Sequence, residues 1–334
     1  MNVTQFVDQM SEKHGGTILR AKTIKQEAEI FNVRIPVKFW TLGKISRGIF
    51  DLNVLRNVNG VASDAAGEIV PLVVETDEEI LDRQRDGFSS MDRMVEAVIE
   101  GKVTSMIVSG NPGIGKTYNI EMMLENAFIE EKINYTPVKG FVRPTGIFRL
   151  LWENRHENSV LMIDDADSVF DDEVGLNIWK AALDSTKRRM ISWKTEKKWE
   201  DAEGDEIPST FEFRGSVIFV TNRDFDAMIQ QGNKMSPHYQ ALISRSFYLD
   251  LNLRNTREFL IRIKDVVQNT DMLHTLGLAE NQQVLLMDFV ETNHKKLREL
   301  SLRMVLKLAK ILKFAKSEED FAKVAKSTCF KVAR

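Results

Sequence analysis

The sequence predicts an α/β protein built on a parallel sheet, followed by an all-helical C-terminal piece. Three observations carry this prediction. Apolar strand-like stretches alternate with helical ones between about residues 89 and 252, the pattern of a parallel sheet covered on both faces. A glycine-rich stretch, "SGNPGIGKTYNI" from Ser109 to Ile120, follows the first apolar run. A later apolar run, "VLMIDDAD" from Val160 to Asp167, closes on a pair of carboxylates.

The elements follow in order. Met91 to Glu100 reads as a helix and Val103 to Val108 as a buried strand. Thr117 to Glu131 is helical and Tyr135 to Val138 a strand. Gly146 to Glu153 is helical, and Val160 to Ile163 is an apolar strand. Val174 to Ser185 is helical, Val217 to Thr221 is the fourth strand, and Ser246 to Leu251 is the fifth. Beyond Asn252 the strands stop. Glu258–Val267, Gln283–Glu291, Leu297–Lys316 and Glu318–Val332 carry helical periodicity.

This gives four segments. Residues 1–60 form a small N-terminal module. Residues 61–88 are an acidic linker: eight Asp or Glu face two Arg between Asp64 and Asp86, as in a solvated run leading into a helix. Residues 89–252 form the α/β core and 253–334 the helical lid. In the N-terminal module, Thr23 to Trp40 reads as a helix, a stop and a second apolar element. Ile45 to Leu52 resembles the strand and glycine turn of a winged helix. Nine Lys or Arg stand there against five acids, which suits either DNA contact or protein docking.

Composition bounds the function. The 334 residues are 43% apolar and 28% charged, a soluble globular mix. The formal net charge of −3 excludes a uniformly basic nucleic-acid binder, though not a local basic face. A single cysteine, Cys329, excludes a disulfide framework and a thiolate zinc cluster. No apolar run approaches the ~18 residues of a membrane helix, and "MNVTQFVDQM" lacks the order of a secretory signal. The expectation is a cytoplasmic protein without membrane insertion.

The glycine stretch has the phosphate-loop pattern. Gly110 and four residues (Asn111, Pro112, Gly113, Ile114) lead to Gly115, Lys116 and Thr117, with Tyr118 next. Glycines let backbone N–H groups curl around phosphate oxygens, and the helix N-terminus adds its dipole. Lys116 reaches the β- and γ-phosphates, and Thr117 ligates Mg²⁺. The carboxylate pair completes the site, because ligands of open α/β sheets bind at the carboxyl ends of strands. Asp164 is placed to hold the Mg²⁺ shell and Asp165 to orient or deprotonate the attacking water. Asp167 reads as a helix cap. The cofactors expected are ATP and Mg²⁺, on a P-loop NTPase fold with a five-stranded parallel sheet.

With both motifs present, residues 85–316 resemble the AAA+ ATPases. "VIFVTNRDF", Val217 to Phe225, is similar to the sensor-1 strand, which makes Asn222 the residue that positions water. "HYQALISRSFYLDL", His238 to Leu251, resembles the arginine-finger segment, with Arg245 in the matching place. "LRELSLRMVLKLAK", Leu297 to Lys310, resembles the lid helix that carries the sensor-2 arginine, Arg303 or alternatively Arg298. Charge spreads over a transferring phosphoryl group, so converging cations suit the chemistry. The family usually has Glu where Asp165 stands. Arg188 to Ser216 reads as two strand-like arms, Arg189–Thr195 and Ser209–Arg214, around a polar acidic tip. This is similar to the β-hairpin inserted before sensor 1 in one AAA+ branch. That branch includes Holliday-junction motors, replicative helicases, protein unfoldases and metal-inserting chaperones.

The resemblance implies a homo-oligomer, most often a hexameric ring or spiral, and an arginine finger supplied to a neighbour. "VKGFVRPTG", Val138 to Gly146, matches the loop that faces the pore in such rings, with Phe141 flanked by Lys139 and Arg143. Phe141 could equally pack in the core. A protein client, remodelled as by unfoldases, is the first expectation for substrate, and a DNA motor or replication loader the alternative. The general cast is also similar to AAA+ ATPases encoded by tailed phages, which would place it in a host cytoplasm.

Overall fold

A computed structural model describes residues 3–14, 18–31, 44–46, 49–52, 61–63, 69–71, 75–194, 199–201, 204–232 and 234–332. The chain divides into two compact units, Met1–Thr76 and Asp77–Arg334. In the first, α1 (Val3–His14), β1 (Ile18–Arg20) and α2 (Ala21–Ile30) precede β2 (Lys44–Ser46) and β3 (Ile49–Asp51). The three strands form an antiparallel sheet in the order β1-β3-β2. Phe6, Val7, Met10, Ile24 and Leu52 are fully buried there. The apolar element predicted around Val33–Trp40 lies outside the described residues, as do residues 64–68 of the predicted linker, between β4 (Val61–Ser63) and β5 (Ile69–Pro71).

The second unit opens with α3 (Asp77–Ile99). This corrects the predicted linker. Its last twelve residues, 77–88, are helical, and Ile80, Gln84 and Phe88 are buried. Three of the eight acids that suggested a solvated run, Asp77, Glu78 and Glu79, sit in the first turn, where carboxylates favour the positive end of the helix.

Then follow β6 (Ser105–Ser109), α4 (Lys116–Ile129), β7 (Asn134–Lys139), α5 (Pro144–Glu153), β8 (Ser159–Asp164), α6 (Glu173–Ala182), the inserted β9 (Arg189–Ser192), β10 (Trp199–Glu200), β11 (Glu206–Ile207) and β12 (Thr210–Phe213), and β13 (Ser216–Thr221). After α7 (Phe225–Gln230) and α8 (Ser236–Ile243) comes β14 (Phe247–Asp250). Five strands make one parallel sheet in the order β14-β6-β13-β8-β7. Numbered by sequence, that order is 5-1-4-3-2. The chain has the predicted α/β P-loop NTPase fold, with a helical C-terminal region.

Burial explains the strand composition. The inner strands β6, β8 and β13 are buried at every position, while β7 and β14 at the edges are partly exposed. Alternate residues feed opposite layers. Ile107, Leu161, Val217 and Phe219 pack on one face with α5, α6 and the inserted hairpin. Met106, Val108, Met162 and Ile218 pack on the other with α3 and α4.

The insertion is a β-hairpin. β9 pairs antiparallel with β12 and β10 with β11; tip residues 195–198 and 202–203 lie outside the described residues. Ile191, Phe211 and Phe213 are buried, and Phe148 and Trp152 of α5 stack on Phe211 at ring-centroid distances of 5.2 Å each. Its base is clamped by Arg189, whose Nη1 and Nη2 donate to the Ala182 and Gly215 carbonyls at 3.1 and 2.8 Å.

The helical region consists of α9 (Thr256–Asn269), α10 (Glu280–Asn293), α11 (Leu302–Phe314) and α12 (Glu318–Cys329) around its own core of Leu286, Val290, Val305, Leu308 and Phe321. The predicted helix from Leu297 begins instead at Leu302. Ser301 caps it, its Oγ accepting from Met304 N–H at 3.1 Å, and Leu297 is drawn into an antiparallel bridge with Phe330.

Gly215 tests the packing at the hairpin base. A Cβ there would press into the carbonyl oxygen of Asn154, with that of Ser159 only 3.0 Å away. Both obstacles are backbone atoms, so relief requires moving strands. Gly215→Ala is expected to lower stability by about 2–4 kcal/mol, read as a fall in the urea midpoint.

Candidate functional site

The site lies where the carboxyl ends of β6, β8 and β13 meet. Register places Ser109 beside Thr221 and Asp164 beside Val220. The loop from Gly110 to Gly115 leaves β6 and enters α4. Gly113 and Gly115 have φ of +73° and +105°, a region closed to most side chains. Gly115 is the residue preceding α4 and has no side chain to cap it. The first N–H groups of α4 are therefore left for a ligand.

Lys116 is 5% exposed. Its Nζ donates to the carbonyls of Gly110 at 2.6 Å and Asn111 at 2.9 Å, and to Asn222 Oδ1 at 3.2 Å. Burial lowers its pKa from 10.5 to about 8; Asp165 and Asp164 oppose this and Arg303 adds to it. Asn222 is a bridge: its Nδ2 donates to Asp165 Oδ1 at 3.1 Å. Asp165 itself holds φ +49°, a left-handed conformation that Asp tolerates better than most residues. Thr117 Oγ1 donates to Asp164 Oδ1 at 3.1 Å. Burial raises the Asp164 pKa. One buried carboxylate beside one hydroxyl fits Mg²⁺, which takes few protein ligands and completes its shell with phosphate and water.

The structure thus gathers Gly110–Thr117, Asp164, Asp165 and Asn222. Ile114 is buried, whereas Tyr118 is 71% exposed. Arg303, in the first turn of α11, joins them: Leu302 N–H donates to the Gly113 carbonyl at 2.8 Å. Arg298 does not. It precedes α11, and its Nε donates to the Phe330 carbonyl at 3.0 Å, an anchor within the helical region. Arg245 lies at the other end of the sheet, its carbonyl accepting from Ser105 Oγ at 2.8 Å. Its Nη1 donates to the Ala241 carbonyl at 3.0 Å, Asp184 Oδ1 stands 3.8 Å from its Nε, and that Nε is buried without a hydrogen-bond partner.

Phe141 is 76% exposed, which removes the core reading, and Arg143 is exposed too. Lys139 differs: its Nζ sits 2.6 Å from Glu121 Oε1 and 3.6 Å from Asp164 Oδ2, so it belongs to the carboxylate end of the sheet. Asp167 is no cap. Its Oδ1 accepts from Thr221 Oγ1 at 2.7 Å and its Oδ2 pairs with Arg223 at 3.3 Å, tying β8 to β13.

Sequence reasoning missed three features. Glu121 stands four residues after Thr117, on the same face of α4, which is a readable signal. Arg262 of α9 had none. It is 7% exposed, stacks 3.5 Å from the Phe88 ring centroid, and donates to the Ile114 carbonyl at 3.3 Å. The third is a cavity of about 480 Å³ beside Asn111, lined by Arg83, Gln84, Phe88, Asn252 and Leu253 among others. Gln84 Oε1 and Asn252 Nδ2 are buried there without partners.

No protein-family model matches the chain. An enterobacteria phage T4 protein, described as an uncharacterized 36.7 kDa protein of the nrdC–mobD intergenic region, is 39% identical over 243 residues, 73% of this chain and 74% of the relative. The chain belongs to the family of this phage protein. Solved structures with a similar fold include domain III of Thermotoga maritima DnaA (12% identity, TM-score 0.43, 73% of this chain and 92% of that one). A Thermotoga maritima RuvB mutant follows at 14%, 0.41, 74% and 69%, and Brucella abortus NtrX in complex with ATP at 11%, 0.40, 80% and 55%. The fold assignment rests on the strand order and loop geometry above. No helix among the described residues is long and apolar enough to cross a membrane.

The depressed Lys116 pKa has a sign that can be measured. The unfolded chain binds more protons than the native one between pH 8 and 10.5, so stability rises with pH across that window. Below it the buried ammonium is a cost. Lys116→Met is therefore expected to raise the melting temperature of the nucleotide-free protein at pH 7, by an amount corresponding to ~1–3 kcal/mol, and to flatten the rise between pH 8 and 10.

Proposed function

We propose that the chain is an AAA+ ATPase that hydrolyses ATP with Mg²⁺ between adjoining copies of itself and uses the cycle to remodel a macromolecular client. The observation that carries this reading is the chain of contacts Lys116–Asn222–Asp165 beside Thr117–Asp164, assembled from three strands at the mouth of a glycine loop. Lys116 is held there by its own loop's carbonyls, and an incoming polyphosphate replaces them. Asp165 is the base or orienting group for the attacking water, with Asn222 fixing its carboxylate. Mg²⁺, held by Thr117 and Asp164, would neutralise charge on the phosphates. The neighbouring cavity suits the nucleotide base: one acceptor, Gln84 Oε1, and one donor, Asn252 Nδ2, are buried there without partners, and an adenine edge offers both a donor and an acceptor.

Arg245 acts on a neighbour in this reading. β6 is about 13 Å long, and the carbonyl of Arg245 is bonded at the end opposite the glycine loop. That arrangement disfavours service to its own nucleotide and supports service in trans, which implies a ring or spiral, in the family most often a hexamer. Phe141, exposed on the loop after β7, is the candidate grip on a polymer, with a protein client as the first reading. Kinship with a phage protein supports a host-cytoplasm setting.

Two measurements test this. Asp165→Asn keeps a residue tolerant of left-handed backbone; it is expected to bind ATP as the wild type does and to lose hydrolysis by about 10²-fold or more. Wild-type turnover in this variant would remove Asp165 from the chemistry. Mixing inactive Arg245→Ala with inactive Lys116→Ala should restore part of the ATPase, because some interfaces then pair an intact loop with an intact arginine. No recovery in co-assembled mixtures would end the trans assignment.

A further inference from the structure

Apart from Arg303, the helical region carries charge that the ATP site does not use. Residues 295–332 hold eleven Lys or Arg against four Asp or Glu, in a chain whose formal net charge is −3. All eleven basic side chains are exposed. Two features organise them. On α11, Arg303, Lys307, Lys310 and Lys313 recur every three or four residues on the exposed face, opposite the buried Val305, Leu308 and Leu312. Steps of three or four residues advance about 5 Å along the axis each. The second feature is tertiary. The Leu297–Phe330 bridge brings two separated basic segments together. Arg298 N–H donates to the Cys329 carbonyl at 2.9 Å, Lys331 N–H to the Lys296 carbonyl at 2.8 Å, and Lys331 Nζ to the Lys295 carbonyl at 3.3 Å.

Lys295, Lys296, Arg298 and Lys331 are thus pinned beside one another by backbone bonds. None of the four forms an ion pair with a described residue, while the neighbouring Lys307 reaches Glu299 Oε1 at 3.3 Å. Like charges held close repel. The backbone bonds keep the four residues together, so a local positive potential is built into the fold and a polyanion lowers its energy.

We propose that this face of the helical region, the Lys295–Lys296–Arg298–Lys331 cluster with Lys310 and Lys313 of α11, is a docking surface for the phosphate backbone of a nucleic acid. The regular spacing of cations suits a repeating anion better than the irregular carboxylates of a folded protein. Phe314, 64% exposed at the end of α11, supplies a ring on which an unpaired base can stack, which favours a single strand. The surface is separate from the ATP site, and the proposal stands whether or not ATP is hydrolysed.

The test is fluorescence anisotropy with the full chain and no nucleotide, using a labelled 30-nucleotide single strand and a 30-base-pair duplex from 50 to 300 mM salt. Neutralising three phosphate contacts changes the slope of log K against log salt by about 2 for a single strand. The triple variant Lys295→Gln/Lys296→Gln/Lys331→Gln is expected to lose that slope and about tenfold in affinity at 100 mM salt. A control, Lys102→Gln/Lys132→Gln/Lys234→Gln, removes equal charge from exposed sites elsewhere and should keep both. Phe314→Ala should weaken the single strand and spare the duplex. Equal losses in triple variant and control, wild-type binding in the triple variant, or no nucleic-acid binding by the wild type at 50 mM salt would each overturn the proposal. So would retention of poly-glutamate or anionic vesicles in preference to both oligonucleotides.

Discussion

The hydrogen bond from Leu302 N–H to the Gly113 carbonyl is the contact through which the α/β core and the helical region act on one loop. A glycine loop alone is a flexible turn. Here it is held from two sides. β6 fixes one end in the sheet, and the other side rests on the start of α11 and on Arg262 of α9. A Cβ on Gly113 would meet the Ser301 Cβ at 2.7 Å, so the loop can lie this close to α11 only because the residue is glycine. The cap that starts α11 at Ser301 thereby also sets the position of Arg303. Moving the helical region by one helical turn would break the bond, displace the cation and open the loop together.

That coupling explains why buried charge is tolerated around the loop. Arg262 is almost fully buried, and burial lowers its pKa to about 10. It persists because Asp265 Oδ2 stands 3.3 Å away and Phe88 offers its ring face. Arg85, from α3, donates to Asp265 Oδ1 at 2.6 Å. Removing one partner of such a network leaves a charge without compensation, which costs several kcal/mol. The network therefore favours one arrangement of α3, α9 and the loop. A nucleotide that draws Lys116 off the Gly110 and Asn111 carbonyls changes the loop at the point these groups grip.

Much of this was legible in the sequence. The glycine loop and the carboxylate pair sit at strand ends, where periodicity and motif spacing point to the same residues, and Asn222 came from the resemblance of Val217–Phe225 to a sensor-1 strand. All five sheet strands were readable, because β6, β8 and β13 each carry an uninterrupted run of three or four apolar residues. What escaped reading depends on tertiary contact. The start of α11 was misplaced because Leu297 and Leu300 continue the helical periodicity, while the bridge to Phe330 that unwinds them involves a residue thirty-three positions away. The residues 77–88 looked like a linker because their acids outnumber their apolar residues, yet three buried side chains decide the matter. Arg262 reads like any cation on an amphipathic helix, and only the partner ring of Phe88 distinguishes it.

The short carboxylate at position 165 follows from the backbone that carries it. At φ +49° the chain turns back from β8, and a residue there needs a side chain that tolerates left-handed geometry and bonds locally. Asp meets both needs, with Asn222 at 3.1 Å; Glu is less suited to that backbone region. The carboxylate is then held close to Lys116 through a single amide. With Lys116 on its own loop, Asn222 bridges the lysine and the exposed Asp165. A ligand that recruits Lys116 would release one of the two bonds that Asn222 makes, so the occupancy of the loop and the placement of Asp165 are linked through one amide.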